Sequence, residues 1–294
     1  MPSLKRRGFT LVELLVALVL LGIVTTAIYR VLVNNQRMYQ SQTQRIDLQQ
    51  NIRAAATILP AEFRELNAFD GDIKAMGADS IQIRAMRQFG VVCTAPVLNA
   101  GIVTGKFLVL RNEILMGSRA FQTGDSVLVF DEGSEDNRND DAWAVGRVTS
   151  VVTAAITCPD GRAGTRLNVD FAAFGAPLVN LANAIPAGAA VRGFEIVTYK
   201  IYQAADGLWY LGLITPGNAV QPLVGPLASN TGLRFNYFNG VGAVAAVPTS
   251  VAQIEIIVRG RTAQAIQLPS GGRVTPVDSV VTRVALRNNR RFGP

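Results

Sequence analysis

Two cysteines, Cys93 and Cys158, and no histidine are what these 294 residues offer for nucleophilic or soft-metal chemistry. Without histidine, the Ser-His-Asp and Cys-His arrangements and every Cys/His zinc pattern are unavailable. Two thiols are also too few for a four-thiolate site, and neither has an imidazole to activate it. Carboxylate, lysine and tyrosine chemistry stay open, so the residue types disfavour an enzyme, and the reading taken is a non-enzyme.

Oxygen ligands and cations are gathered in two places. The run Asp131-Glu132-Gly133-Ser134-Glu135-Asp136-Asn137-Arg138-Asn139-Asp140-Asp141 packs six carboxylates into eleven residues. Oxygen-rich loops can hold calcium, but this spacing lacks the glycine and distal glutamate of an EF-hand loop. A solvated hairpin tip with no cofactor is therefore expected, with calcium at 131–141 the alternative. The last 36 residues carry seven arginines (259, 261, 273, 283, 287, 290 and 291) against one acid, Asp278. Phosphates of nucleic acid would be one partner. Stacking on bases would need interleaved aromatics, and only Phe292 is present. Solvent faces of strands, docking onto an acidic segment of a partner protein, are the favoured reading.

A third feature is a single carboxylate in the wrong solvent. From Phe9 to Ile28 the only charge is Glu13, and Leu14 to Val24 contains nothing polar. Twenty helical residues span about 30 Å, the thickness of a bilayer's hydrocarbon core. Lys5, Arg6 and Arg7 precede the run with no acid in residues 1–8, which marks a cytoplasmic flank and places the rest of the chain across the membrane. A secretory signal peptide would not carry a carboxylate there, and no good small-x-small cleavage site follows. A plain anchor leaves Glu13 unexplained, since a carboxylate in hydrocarbon costs about 2.5–3.5 kcal/mol on insertion scales.

The string Lys5-Arg6-Arg7-Gly8-Phe9-Thr10-Leu11-Val12-Glu13-Leu14-Leu15-Val16 resembles the processing signal of type IV pilins and type II secretion pseudopilins. The resemblance implies that a prepilin peptidase/N-methyltransferase cuts between Gly8 and Phe9 and methylates Phe9. It also implies that Glu13 pairs with the N-terminal ammonium of a neighbouring subunit, a charge pair that sets register in a stack of helices. Cleavage would remove three of 28 basic residues and none of 21 acids, leaving 25 − 21 = +4. An exported, oxidising setting permits a Cys93–Cys158 disulfide, worth roughly 4 kcal/mol for a loop of this size; two separate thiols remain the alternative.

Positioning these groups requires a helix and then a sheet. Ile52, Ala56, Leu59, Phe63 and Leu66 form one apolar stripe, expected to pack on the chain's own sheet. Asn34 to Gln50 is polar and free of Gly and Pro, as suits an exposed bridge. Pro60 is expected to kink or restart the helix. After Asn67 the period changes to two, with strands expected at 80–84, 126–130, 143–152, 194–202, 208–214, 233–238, 254–258 and 280–286. Asp206-Gly207 marks a hairpin, and 172–190 and 239–250 read as loops. The expected fold is α+β: leader 1–8, membrane half 9–29, amphipathic outer half 30–66, and a mostly antiparallel β head at 67–294.

Strings through the head resemble PilW-type minor pilins and the related minor pseudopilin J. They are Asp79 to Arg84, Gly124 to Val129, Gln221 to Val224, Gly232 to Phe238 and Thr282 to Asn288. Arg30, where major pilins often have proline, and the length of the chain favour the PilW-type reading. That resemblance implies an inner-membrane protein with a periplasmic head, assembled with other minor and major pilins through the inner-membrane assembly platform to prime or cap a pilus. A pseudopilin of a secretion system is the alternative within the class; a membrane-anchored adhesin or enzyme is the alternative outside it.

Overall fold

Thr10 stands in extended conformation ahead of an apolar run whose one charge is Glu13, and the chain turns helical at the next residue. In the computed structural model, which describes residues 10–96, 105–132, 141–171, 185–268 and 271–287, a helix α1 spans Leu11–Arg64. Pro60 lies inside this helix instead of restarting it, which corrects the expectation from sequence. Leu59 and Phe63, on either side of the proline, are fully buried against the sheet, and that packing holds the last turn across the missing donor. The buried face is Leu48, Ile52, Ala55, Leu59 and Phe63; Ala55, not Ala56, continues the stripe.

Past the helix the chain forms short and long strands: β1 (Ile73–Met76), β2 (Ser80–Val91), β3 (Gly105–Arg111), β4 (Met116–Gly117), β5 (Ser126–Asp131) and β6 (Ala142–Val152). They continue as β7 (Gly164–Asp170), β8 (Ala190–Gln203), β9 (Trp209–Ile214), β10 (Gln221–Leu227), β11 (Leu233–Phe238) and β12 (Gln253–Arg261). The last are β13 (Ile266–Gln267), β14 (Arg273–Val274) and β15 (Val277–Ala285). Among the described residues β13 and β14 pair with each other and the other strands form one sheet, with every pairing antiparallel. The protein is thus α+β, one long helix packed on a large antiparallel head.

Strand β8 organises the head, because its fourteen residues border two different cores. Its second half pairs with β9, and the sheet continues through β10, β12 and β11, with β15 beside β12. Val197, Leu211, Phe235, Ile256 and Val258 from these strands, with Ile83 of β2, close over Leu59 and Phe63 of the helix. Phe63 meets the rings of Tyr199 and Phe235 edge-on, each at 5.9 Å. The helix seats where Gly260 leaves room: a Cβ there would lie 2.8 Å from a Leu48 methyl.

The first half of β8 pairs with β5, and the sheet continues through β6, β7 and β3. It then returns to the end of β2 by a Val92–Leu110 bridge and a 2.8 Å bond from the Cys93 N–H to the Val109 carbonyl. This second half is a small closed barrel filled by Leu108, Leu110, Val127, Val129, Leu167, Val169 and Val191. Its wall is pinched at Gly146, where a Cβ would meet Val169 at 2.3 Å.

The expected strands are present, several with longer reach. Strands β1, β3, β4, β7, β10, β13 and β14 are not among them; of the loop expected at 172–190, residues 172–184 lie outside the described residues and Ala190 already belongs to β8. In β10, Pro222, Gly225 and Pro226 interrupt the ladder, and the pairing with β9 shifts register between Pro222 and Val224 and again before Leu227.

Candidate functional site

The inner half of α1 is the region whose construction is not explained by the fold of its own chain. Leu11, Leu14, Leu15, Leu18, Leu21, Ile23 and Ile28 are all exposed. Among the described residues this is the helix long and apolar enough to cross a membrane, and its apolar stretch is bare of intramolecular cover. Its two polar side chains near the middle are satisfied internally. Thr25 donates to the Leu21 carbonyl at 2.7 Å and Thr26 to the Gly22 carbonyl at 2.8 Å. Such back-bonding leaves no open donor to be stranded in hydrocarbon.

At the start of the helix, Thr10 and Glu13 form a reciprocal cap. The Thr10 hydroxyl accepts from the Glu13 N–H at 3.3 Å, while Glu13 Oε2 accepts from the Thr10 N–H at 3.0 Å and from its hydroxyl at 3.1 Å. The carboxylate therefore occupies the N-terminal end of the helix, where orphan N–H groups and the macrodipole favour a negative charge. The sequence carried this signal: Thr10-Leu11-Val12-Glu13 has the spacing of a capping box, which the reading of Glu13 as an intermolecular partner passed over. Both donors fall on Oε2, leaving Oε1 for another partner. Lys5, Arg6, Arg7, Gly8 and Phe9 lie outside the described residues.

The outer half of the helix is tied to the head by polar contacts as well as by its apolar face. Asn51 donates to the Gly225 carbonyl at 2.7 Å, and Arg87 of β2 reaches Glu62 at 3.0 Å and Glu195 at 3.6 Å. Where the helix ends, Asp72 accepts from the Asn67 N–H at 2.8 Å and pairs with Arg84 at 3.2 Å, both side chains almost completely buried. Burial pushes the Asp72 carboxyl above its ordinary range and the Arg84 guanidinium below its own, so the pair positions the turn at a desolvation cost. Arg84 also lies over the Phe194 ring at 4.9 Å. Strand alternation gave no warning that this arginine is inside.

Cys93 and Cys158 form a disulfide, their Cα atoms 5.7 Å apart. It fastens the seam where the barrel closes to the connection between β6 and β7. Arg111 pairs with Asp160 and Arg162 with Glu113 across the same connection. The acidic stretch joins β5 to β6, but residues 133–140, and with them the calcium alternative, lie outside the described residues; among the described residues no group of acids, cysteines or histidines is arranged to hold a metal. Of the C-terminal arginines, Arg283 reaches Glu255 at 2.6 Å and Arg287 reaches Glu65 at 3.7 Å. Arg290 and Arg291 are outside the described residues.

The family defined by the prokaryotic N-terminal methylation motif matches residues 3–29. No curated protein and no solved structure matches the chain. The match runs from ahead of the helix through its capped first turn and along its apolar half. It supports a type IV pilin-like protein, and a motif of this kind implies processing by a prepilin peptidase and membrane assembly with pilins in general.

Proposed function

We propose that this protein is a minor pilin, cut between Gly8 and Phe9, N-methylated on Phe9, held in the bacterial inner membrane with its head in the periplasm, and assembled with other pilins to prime or cap a type IV pilus. The observation that carries this reading is the union of the methylation motif at 3–29 with a helix half that is apolar on all sides and uncovered. An apolar surface of that length needs either lipid or other helices, and a pilin meets first one and then the other. The role is assembly, with no chemistry of its own. Arg30 within the helix and the large head favour a minor over a shaft subunit.

In this reading Glu13 works twice. Oε2 caps its own helix, and Oε1 faces the N-terminal ammonium of a neighbour, so a carboxylate expensive alone in lipid becomes a register device. Intact mass and N-terminal sequencing of the protein from its native host test the proposal. The expected product lacks the eight-residue leader and begins with methylated Phe9. Gly8→Ala should block processing, and Glu13→Ala should be processed but assemble poorly. An unprocessed Met1, or a cut beyond Thr26, would overturn the reading.

A further inference from the structure

The C-terminal strands descend the helix toward its apolar half. Arg261, Thr262 and Ala263 line a cavity of about 260 Å³ against Gln44, Asp47, Leu48 and Asn51, Asp47 being its one acid. The residues that follow, Gln264 to Gln267, line a second of about 550 Å³ with Arg273 against Arg37, Gln40 and Gln44. Residue numbers rise on one side of this groove as they fall on the other. Leu268, Gly272 and Arg273 therefore lie toward the end of the groove nearest the apolar half of α1. There the Leu268 N–H bonds to the Gly272 carbonyl at 2.7 Å, and Arg273 is exposed while Leu268 and Val274 are 37% and 40% exposed.

The facing helix is cationic. Between Glu13 and Asp47 the charges are Arg30, Arg37 and Arg45, with no acid. Among the described residues neither Arg37 nor Arg273 has an ion-pair partner. Arg30 interrupts the apolar stretch, which Val31 to Val33 carry on to Asn34, and Arg37 follows Arg30 seven residues on, an axial rise of about 10.5 Å. A headgroup layer extends roughly 5–8 Å past the hydrocarbon, and an arginine stem can reach back over the remainder.

We propose that the paired strands β13 and β14, with Leu268, are a foot by which the head rests on the anionic phospholipid surface that α1 enters. Arg37 and Arg273 take lipid phosphates, and Leu268 and Val274 turn toward the acyl boundary. Lipid is the occupant because the foot is continuous with the apolar helix and its free charges are of one sign, opposite to an anionic headgroup layer. The contact fixes the tilt of the head before assembly. The inference rests on the membrane reading of the inner helix, and its test separates the two.

The full chain is placed in vesicles with an environment-sensitive fluorophore on Leu268→Cys or, separately, on Val24→Cys, using lipids that carry a quencher near the headgroup or in the acyl region. With phosphatidylglycerol present, the probe at 268 should be quenched from the headgroup layer and the probe at 24 from the acyl region. Arg37→Gln and Arg273→Gln should each lower the docked-to-undocked ratio about fivefold, and removing the anionic lipid should lower it about twenty-five-fold, while leaving position 24 unaffected. A probe at 268 that stays in water while 24 is quenched overturns the foot and leaves the basic groove to an acidic protein segment. Quenching at 268 that ignores lipid charge and both arginines overturns the phosphate contact. No quenching at either position overturns the membrane anchor itself.

Discussion

The two halves of α1 share one continuous backbone and have opposite relations to the rest of the chain. Leu18, in the inner half, is 61% exposed, whereas Phe63, near the outer end, is fully buried. The inner half is apolar all round, so no rotation about its axis could present a polar face to water. The outer half is apolar on one stripe, and that stripe meets strands of its own head. The difference teaches where each half finds its partner: the outer half folds with the chain, and the inner half is completed only by lipid or by other helices.

The sharpest way to break this comparison is to remove one large side chain from each half. Phe63→Ala deletes a ring packed between Tyr199 and Phe235 and should lower head stability by about 3–5 kcal/mol. Leu18→Ala removes apolar surface that touches nothing in its own chain and should leave head unfolding within about 0.5 kcal/mol of the parent. Thermal unfolding of the full chain in detergent, followed by near-UV circular dichroism, checks both. Equal losses would mean that the inner half contributes to the fold of the head.

How much of this was legible in the sequence follows the same division. The inner half was readable because twenty residues with a single charge have few alternatives, and that charge, Glu13, stood out against them. The outer stripe was readable to within one residue: 3.6-residue periodicity fixes a face but does not choose between Ala55 and Ala56. Strands with clean alternation, such as Leu233 to Phe238, were read to their ends. Strand β10 was hidden by its prolines, which are tolerated only because the ladder is irregular there. The closure of the barrel depends on contacts between β2 and β3 that no local pattern encodes. The buried Asp72–Arg84 pair was hidden for a related reason: a charged residue in an alternating strand reads as solvent-facing unless its partner twelve residues away is known.

Alkaline pH should sharpen the comparison within the head, at an intermediate size. The helix-packed core contains Tyr199 and Tyr237, both pushed upward by burial, Tyr199 to about 12. The chain has no tyrosine between Tyr39 and Tyr199, so the barrel has none. A tyrosine whose folded value is raised keeps its proton where the unfolded chain loses it, so its contribution is intact below pH 10 and declines as the pH rises toward 12. The slope is about 1.4 kcal/mol per pH unit for each such group, or roughly 2–3 kcal/mol for Tyr199. Hydrogen exchange across this range should show amides of β9, β11 and β12 losing protection before those of β5, β6 and β7. Tyr199→Phe should flatten the dependence, and simultaneous loss across both regions would show that the cores unfold as one.

The smallest expected effect tests what Glu13 does at the tip of the inner half. Thr10→Val removes the hydroxyl from the reciprocal cap but leaves the Thr10 backbone N–H and the carboxylate in place. Losing one half of such a cap costs about 1 kcal/mol, felt in the first turn as faster exchange of the Glu13 amide, with no change in head unfolding. Glu13→Ala removes the carboxylate half of the cap and the charge with it, leaving the residue-13 N–H on the Thr10 hydroxyl. If the carboxylate serves chiefly to pair with a neighbouring subunit, Thr10→Val assembles nearly as well as the parent while Glu13→Ala does not. If the two variants fail alike, the cap is the reason glutamate stands at this position, and the inner half needs its first turn ordered more than it needs a charge aimed at another chain.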